Sequence, residues 1–156
     1  MSTVAGLHRR LQQRGETVAV AESLTGGLVA GALTETPGSS RSFRGGLVVY
    51  ATDLKASIGG VPAHLLAEHG PVDAQVAAQL ARHVREALGA TYGLALTGVA
   101  GPEPQEGKPV GLVYIALAGP GVDRVREGRY AGSRRDIRAA AVTEALGLLE
   151  CALPPE

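Results

Sequence analysis

The sequence predicts an α/β protein, a three-layer α/β/α sandwich built on a mixed, mostly parallel sheet with an antiparallel edge hairpin. Short apolar strands alternate with helical patterns through most of the chain, and a Gly-Pro-Gly turn at 119–121 joins two consecutive strands. The 156 residues are enough for one well-formed core and too few for two typical domains. We therefore expect a single domain over residues 1–156.

The first half of the chain alternates helix and strand. Apolar residues recur at helical spacing near the amino terminus, and short apolar runs bounded by glycine or proline follow. The predicted elements are a covering helix over 3–14, a buried strand over 17–21, a small-residue helix ending near Leu33, a strand over 46–50, and a helix capped by Thr52 and ending near Ile58.

The second half continues with two helices, three strands and a final helix. These are a short helix over 62–68, a helix over 73–88 capped by Asp73, a strand over 91–97, an antiparallel hairpin of strands 111–118 and 122–130, and a helix from Ser133 with Asp136 as its capping-box partner. After the first helix, the expected order is β-α-β-α-α-β-β-β-α. The polar second strand of the hairpin is expected at an edge of the sheet.

Composition narrows the class of protein. Fifteen basic residues balance fifteen acidic ones, so no overall field favours a nucleic acid or an acidic membrane as partner. A single cysteine, Cys151, excludes an internal disulfide framework, and the four histidines lack metal-ligand spacing. We expect no metal or organic cofactor. Without a signal peptide or an 18-residue apolar run, we expect a cytoplasmic protein.

Residues 38–55 carry the clearest chemical pattern. A serine-rich turn precedes a strand, and Lys55 follows that strand near the start of a helix, where the helix dipole and burial would both lower its pKa. Only two of the fifteen basic residues are lysine, and arginine cannot serve as a base. We hypothesise that a serine of this turn faces Lys55 as nucleophile and base. The alternative is a partly exposed helix lysine beside a serine-rich turn.

Two glycine-bearing loops each follow a predicted strand. Residues 22–27 and 98–102 offer backbone N–H groups suited to an anion or a developing oxyanion, although plain connections would have the same composition. Tyr50, at a strand end, is either a proton relay or substrate-packing ring, or half-buried structure. The polar loop over 103–109 either covers a site and brings Lys108 to a ligand or is a mobile connection.

Two arginines begin the last helix. Arg134 and Arg138 lie four residues apart, where like charges repel and both oppose the helix dipole. A bound phosphate would relieve that repulsion. The alternative is a solvated arginine-rich surface.

Five motifs resemble one known family. They are A-E-S-L-T-G-G at 21–27, G-S-S-x-x-F at 38–43, V-x-Y-x-x-x-x-K at 48–55, T-G-x-A-G-P at 97–102 and K-P-V-G at 108–111. In this order they resemble the carboxy-terminal domain family of the competence/damage-inducible protein CinA, including stand-alone nicotinamide-nucleotide amidohydrolases. The resemblance runs from about Leu7 to Leu149.

The resemblance implies hydrolysis of the carboxamide of nicotinamide mononucleotide, giving nicotinic acid mononucleotide and ammonia. It implies a Ser40–Lys55 dyad assisted by Tyr50, a choice of Ser40 that the residues alone do not make. It places Ser23 and Thr97 near the carboxamide and the two arginines at the phosphate. The full expected substrate-binding set is Ser23, Thr25, Gly26, Gly27, Thr97, Gly98, Gly101, Lys108, Arg134 and Arg138.

Further expectations follow from the same resemblance. Many relatives carry an amino-terminal domain that acts on phosphoanhydride bonds, and we do not expect that second activity here, because the chain starts with the helix that precedes A-E-S. By family analogy, the chain forms a homodimer or a higher homo-oligomer. Two alternatives stay open, namely a nucleotide-binding or interaction module without turnover, and an amidase for another small amide.

Overall fold

The computed structural model describes residues 3–155. Its elements in chain order are α1 (Val4–Gln13), β1 (Val18–Glu22), α2 (Leu28–Thr34), a 3₁₀ turn (Ser39–Arg41), β2 (Phe43–Val48), α3 (Thr52–Ser57), α4 (Ala63–His69), α5 (Ala74–Ala87), β3 (Tyr92–Gly98), β4 (Leu112–Gly119), β5 (Val122–Arg129) and α6 (Arg134–Ala152).

The five strands form one mixed sheet in the order β2-β1-β3-β4-β5. Strand β1 runs parallel to both β2 and β3, with Ala21 opposite Leu47 on one side and Ala95 on the other. Strand β4 is antiparallel to β3 and to β5. The predicted α/β fold is confirmed, with the antiparallel hairpin at one edge of the sheet.

Helices cover both faces of the sheet. Val18 and Val20 pack into a core shared with α1, α2 and α6, whereas Ala19 and Ala21 pack into a second core shared with α5. Successive side chains of a strand point to opposite faces, so burial on both sides requires a continuous apolar run. Such a run is what β1 has, with all five of its residues buried.

Small side chains let α5 lie close to the sheet. A Cβ atom on Gly93 of β3 would lie only 2.0 Å from the carbonyl oxygen of Ala81 in α5. The alanines of this face on three strands leave similar room. Any larger residue at Gly93 would therefore push α5 away from the sheet.

Three local predictions need correction. Strand β2 begins at Phe43 rather than near residue 46, because parallel pairing with β1 extends to Val18. The three helices predicted between β2 and β3 are all present, so the expected order β-α-β-α-α-β-β-β-α lacks one of them. The N-cap of α3 is Ala51 rather than Thr52, and its side chain makes no capping hydrogen bond. In contrast, the Asp73 cap and the Ser133–Asp136 capping box are confirmed.

The connections open a crevice at the carboxyl ends of the parallel strands. Helix α2, which follows β1, packs on one face of the sheet, whereas α5, which precedes β3, packs on the other. The neighbours β2 and β3 lie on opposite sides of β1. In open α/β sheets, ligands bind beyond the carboxyl ends of strands where the winding reverses in this way.

Candidate active site

Lys55 is the most unusual buried residue of the described chain. Only 1% of its surface is exposed, and its Nζ donates to Ser23 Oγ at 2.9 Å, to the carbonyl oxygen of Val49 at 2.8 Å and to that of Tyr50 at 3.2 Å. No carboxylate among residues 3–155 forms an ion pair with it. Burial therefore acts unopposed and lowers the pKa of Lys55 from 10.5 to about 8.

The three contacts define how a neutral amine would sit. An ammonium has three N–H donors, whereas the neutral amine has two donors and one lone pair. The two carbonyl groups can accept only from N–H, so they retain the two donors. The lone pair then faces Ser23 Oγ, which is the arrangement needed to accept a hydroxyl proton.

Ser23 is held at the end of β1. It directly follows Glu22, the last residue of that strand, and its backbone N–H donates to the carbonyl oxygen of Leu96 in β3 at 3.1 Å. Pairing with β3 thus continues one residue beyond the strand. The side chain is 7% exposed and lines the crevice.

The structure does not bring Ser40 to Lys55. Ser40 lies in the 3₁₀ turn before β2, whereas Lys55 lies in the helix after β2. At about 3.3 Å per residue, the six residues of β2 separate the two ends of the strand by roughly 20 Å. Ser40 is exposed and does not line the crevice. The pairing predicted for Lys55 is therefore corrected from Ser40 to Ser23.

The serine-rich turn instead makes structural contacts near the amino ends of β1 and β2. Ser42, fully buried, has its Oγ 2.7 Å from His8 Nδ1, and His8 Nε2 lies 2.7 Å from the carbonyl oxygen of Leu33. The carbonyl of Ser42 also accepts from the N–H of Val18 at 2.8 Å. These bonds join α1, the end of α2 and the start of β1, and they give Ser42 a structural role in the turn.

Tyr50 and Arg134 meet across the mouth of the crevice. Arg134 donates to the Tyr50 hydroxyl at 2.9 Å and to the carbonyl oxygen of Gly101 at 2.7 Å. The Tyr50 ring is 58% exposed, and its contact with Lys55 is made by its backbone carbonyl rather than its hydroxyl. Arg134 therefore links the loops that follow β2 and β3.

The crevice is a small pocket of about 160 Å³. This volume is below the roughly 300–1,000 Å³ of sites that enclose a drug-sized ligand, so it suits one small group with the remainder of the ligand outside. The residues lining it are Ser23, Leu24, Tyr50, Lys55, Pro71, Val72, Thr97, Gly98, Val99, Ala100, Gly101, Glu103, Gln105 and Arg134.

The glycine loop after β1 faces only partly into this pocket. Gly26 and Gly27 have φ values of 57° and 108°, which glycine adopts without strain, and they turn the chain into α2 outside the pocket lining. Thr25 is fully buried behind the pocket, and its hydroxyl has no partner within residues 3–155. Only Ser23 and Leu24 of this loop line the pocket.

The protein's own carboxylate occupies the start of α2. The buried side chain of Glu22 accepts from the N–H groups of Val29 and Ala30 at 2.9 and 3.0 Å. These are the donors that an incoming anion would need. These N–H groups are therefore not free to bind an anion, and the anion expected at the start of this helix has no site there.

The end of β3 and the loop after it contribute Thr97, Gly98 and Gly101 to the lining of the pocket. The Thr97 hydroxyl donates to the carbonyl oxygen of Pro71 at 2.7 Å. Its hydrogen is therefore already used, so Thr97 presents acceptor lone pairs to a ligand rather than a hydrogen-bond donor.

Two further expected ligand-binding residues, Arg138 and Lys108, lie outside the pocket lining. Arg138 donates to the carbonyl oxygens of Leu24 and Thr25 at 2.9 and 3.4 Å, so it braces the loop that carries Ser23. Lys108 lies beside His69 in a separate cleft. A tight turn with positive φ at Glu106 and Gly107 folds the loop back, because Gln105 pairs with Lys108.

The polar loop supplies two pocket residues that the sequence did not single out. Glu103 and Gln105 both line the pocket, and no spacing pattern marks either residue.

The contact between Ser23 and Lys55, in contrast, could have been predicted from the sequence. Lys55 and Tyr50 follow a strand, so in a parallel sheet their partner should also follow a strand, as Ser23 does and Ser40 does not.

Two searches of the described residues give negative results. In the range 3–155, no helix is long and apolar enough to cross a membrane. Over the same range, no three His, Cys, Asp or Glu side chains cluster in a way that could hold a metal ion.

Curated relatives match most of this chain. It is 58% identical over 139 residues to a CinA-like protein of Frankia casuarinae, covering 89% of this chain and 32% of that protein. It is 52% identical over 132 residues to a putative competence-damage inducible protein of Desulforamulus reducens, covering 85% and 32%. The chain thus spans about a third of the length of the curated relatives it matches.

Solved structures match the fold over nearly the whole length. The competence/damage inducible protein CihA from Agrobacterium tumefaciens superposes with a TM-score of 0.88 at 38% identity, covering 97% of this chain and 96% of that one. A CinA superfamily protein from Enterobacter cloacae gives 0.92 at 31% identity, covering 99% and 94%. The family model described as CinA C-terminal domain matches residues 2–153, and the chain therefore belongs to the CinA C-terminal domain family.

Proposed function

We propose that this chain hydrolyses the carboxamide of nicotinamide mononucleotide to nicotinic acid mononucleotide and ammonia, with Ser23 as nucleophile and Lys55 as base. The observation that carries the proposal is the 2.9 Å contact between Lys55 Nζ and Ser23 Oγ at the base of a pocket. A buried lysine of lowered pKa beside a serine is a known means of activating a hydroxyl without histidine. The substrate is the one implied by the resemblance of the five motifs.

Acylation begins with proton transfer. Neutral Lys55 takes the Ser23 hydroxyl proton while Oγ forms a bond to the carboxamide carbon, and the carbonyl π electrons move onto oxygen. When that tetrahedral intermediate collapses, the C–N bond breaks and Lys55 returns the proton to the leaving nitrogen. Ammonia leaves, and an ester joins the nicotinoyl group to Ser23.

Deacylation repeats the sequence with water. Lys55 accepts a proton from water as the water oxygen attacks the ester carbon, and the proton then passes to Ser23 Oγ as the ester C–O bond breaks. The product is the carboxylic acid, which loses its remaining proton to solvent and leaves as the carboxylate. The Thr97 acceptor lone pairs lie in the same pocket, where they would orient the carboxamide NH₂.

Backbone N–H groups are the proposed oxyanion donors. Neither Leu24 nor Ala100, both of which line the pocket, uses its N–H in a hydrogen bond within residues 3–155. Leu24 directly follows the proposed nucleophile, the position that supplies an oxyanion donor in other serine hydrolases. Donors fixed in place before the reaction stabilise the developing charge most effectively.

The pocket mouth suits a nucleotide. The enclosed volume would accept the carboxamide end, and the ribose and phosphate would extend past Tyr50. Arg134 has no carboxylate partner in the described chain, and its guanidinium lies at this mouth as the proposed phosphate contact. Arg138 is not included, because backbone carbonyls already use its donors.

Ammonia release tests the proposal directly. Purified wild-type protein is incubated with nicotinamide mononucleotide, and the rate is compared with those of Ser23→Ala and Lys55→Ala. Both substitutions should lower kcat by about a thousandfold or more. Ser40→Ala is the matched control. Ser40 is exposed and precedes β2, at the amino ends of the parallel strands, so this variant should retain wild-type activity.

Three results would contradict the proposal in whole or in part. Loss of activity in Ser40→Ala, with Ser23→Ala active, would return the nucleophile to the turn before β2. Tight binding of the mononucleotide by folded wild-type protein without ammonia release would identify a binding module. Release from other small amides but not from the mononucleotide would retain the dyad and change the substrate.

A further inference from the structure

The pocket mouth carries two opposite charges that do not neutralise one another. Glu103 and Arg134 both line the pocket, and no ion pair joins them. Arg134 is instead bound to Tyr50 and to the carbonyl of Gly101. Glu103 forms no hydrogen bond or ion pair anywhere within residues 3–155. An anionic side chain thus remains available at the entrance.

This arrangement has a consequence for the charge of the ligand. Arg134 at the mouth disfavours a cationic group in the pocket, and Lys55 at the base does so whenever it is protonated. Glu103 is the carboxylate among the described lining residues that opposes them. The exposed ring of Tyr50 adds an aromatic face, which attracts cations. A ligand with separated positive and negative charges would match this distribution.

We propose that Glu103 is a specificity-determining residue, and that the pocket selects zwitterionic amides in which a cationic aromatic ring faces Glu103 and an anionic group faces Arg134. This inference rests on the proposed function for the carboxamide at Ser23. It explains how one site distinguishes an N-ribosylated pyridinium from a neutral ring amide of the same shape. Without Glu103, no carboxylate of the pocket lining would face the positive ring.

The test compares two ligands that differ in ring charge. Nicotinamide mononucleotide and its 1,4-dihydro form share the carboxamide, ribose and phosphate, but only the first has a cationic ring. Dissociation constants are measured by calorimetry on the Ser23→Ala chain, which prevents turnover, with and without Glu103→Gln. Glu103→Gln should raise Kd for the cationic ligand roughly twofold to fivefold and leave Kd for the dihydro ligand unchanged.

Glu106→Gln is the matched control. Glu106 belongs to the same loop, but its carboxylate lies against Gly70 and lines the separate cleft rather than the pocket. It should change neither dissociation constant. An equal change for both ligands in Glu103→Gln, no change for either, or failure of the Ser23→Ala chain to bind the cationic ligand would overturn the inference.

The two experiments distinguish failure of the charge-selection inference from failure of the proposed amidase activity. Binding of the mononucleotide that depends on Glu103, together with no ammonia release by the wild type, would refute the amidase and support charge selection. Ammonia release by the wild type, together with an equal effect of Glu103→Gln on Kd for both ligands, would support the amidase and refute charge selection.

Discussion

Lys55 Nζ lies 2.9 Å from Ser23 Oγ, although 32 residues separate them in the chain. The contact exists because β1 and β2 are parallel neighbours, so the residues that follow them emerge at the same edge of the sheet. The short helix α3 then turns Lys55 back beneath the carbonyl groups of Val49 and Tyr50. The chemical predictions below depend on this contact.

The first prediction concerns pH and rate. Because Lys55 acts as a base only when neutral, kcat/KM for ammonia release should rise about tenfold per pH unit below its pKa and level off above about 8. Rates measured from pH 6 to 9.5 on the wild type provide the test. A flat profile across this range would exclude Lys55 as the base.

Lys55→Arg extends that test. Arginine stays charged at every pH that the fold survives, so this variant should be inactive throughout the range. Activity that recovers at high pH in Lys55→Arg would mean that another group takes the serine proton.

The second prediction concerns pH and stability. The unfolded chain keeps the Lys55 proton up to about pH 10.5, whereas the folded chain loses it above about 8, so the unfolded state binds more protons in between. The contribution of Lys55 to the free energy of unfolding should therefore increase by about 2–3 kcal/mol between pH 7.5 and 10.5.

Lys55→Met isolates this contribution. Methionine fills similar space without titrating, so urea unfolding of both proteins at each pH cancels the effect of all other groups. The wild type should gain stability relative to Lys55→Met as pH rises. A difference that stays constant would show that the fold does not lower the pKa of Lys55.

The third prediction separates two roles of Tyr50. Its hydroxyl accepts from Arg134, and only its backbone carbonyl contacts Lys55, so Tyr50→Phe should reduce kcat by less than about tenfold. Stopped assays of ammonia release by the wild type and Tyr50→Phe measure this change in kcat. A loss of a hundredfold or more would instead support the proton relay that the resemblance implies.

The fourth prediction distinguishes Arg134 from Arg138. Arg134→Ala removes a charged contact to phosphate, so it should raise KM for nicotinamide mononucleotide about tenfold or more. It should raise KM much less for nicotinamide riboside, which has no phosphate. Arg138→Ala should raise KM for the two substrates equally, because it only loosens the Ser23 loop.

Stability gives an independent readout for the same pair. Arg138 is half-buried and holds two loop carbonyls, so Arg138→Ala should lower the free energy of unfolding by about 1–3 kcal/mol. The exposed Arg134 should contribute less than about 1 kcal/mol. A phosphate-specific effect of Arg138→Ala, or an equal effect of Arg134→Ala on both substrates, would contradict these assignments.

Local patterns predicted the elements of the fold well. The Asp73 cap, the Ser133–Asp136 capping box and the buried run of β1 depend on residues close together in the chain. The N-cap of α3 was a local error, whereas the start of β2 was missed because distant pairing decides it. Strand β2 begins at Phe43 because its partner β1 extends the pairing, and nothing within residues 43–48 specifies that limit.

The α/β fold and the candidate base Lys55 could be predicted from the sequence, because strand composition, capping residues and the scarcity of lysine do not require knowing which residues meet in space. Which serine contacts Lys55 depends on how the strands pair. Ser40 is closer along the chain, but parallel strands put residues that precede one strand and residues that follow it at opposite edges of the sheet. Ser23 reaches Lys55 because both follow parallel neighbours.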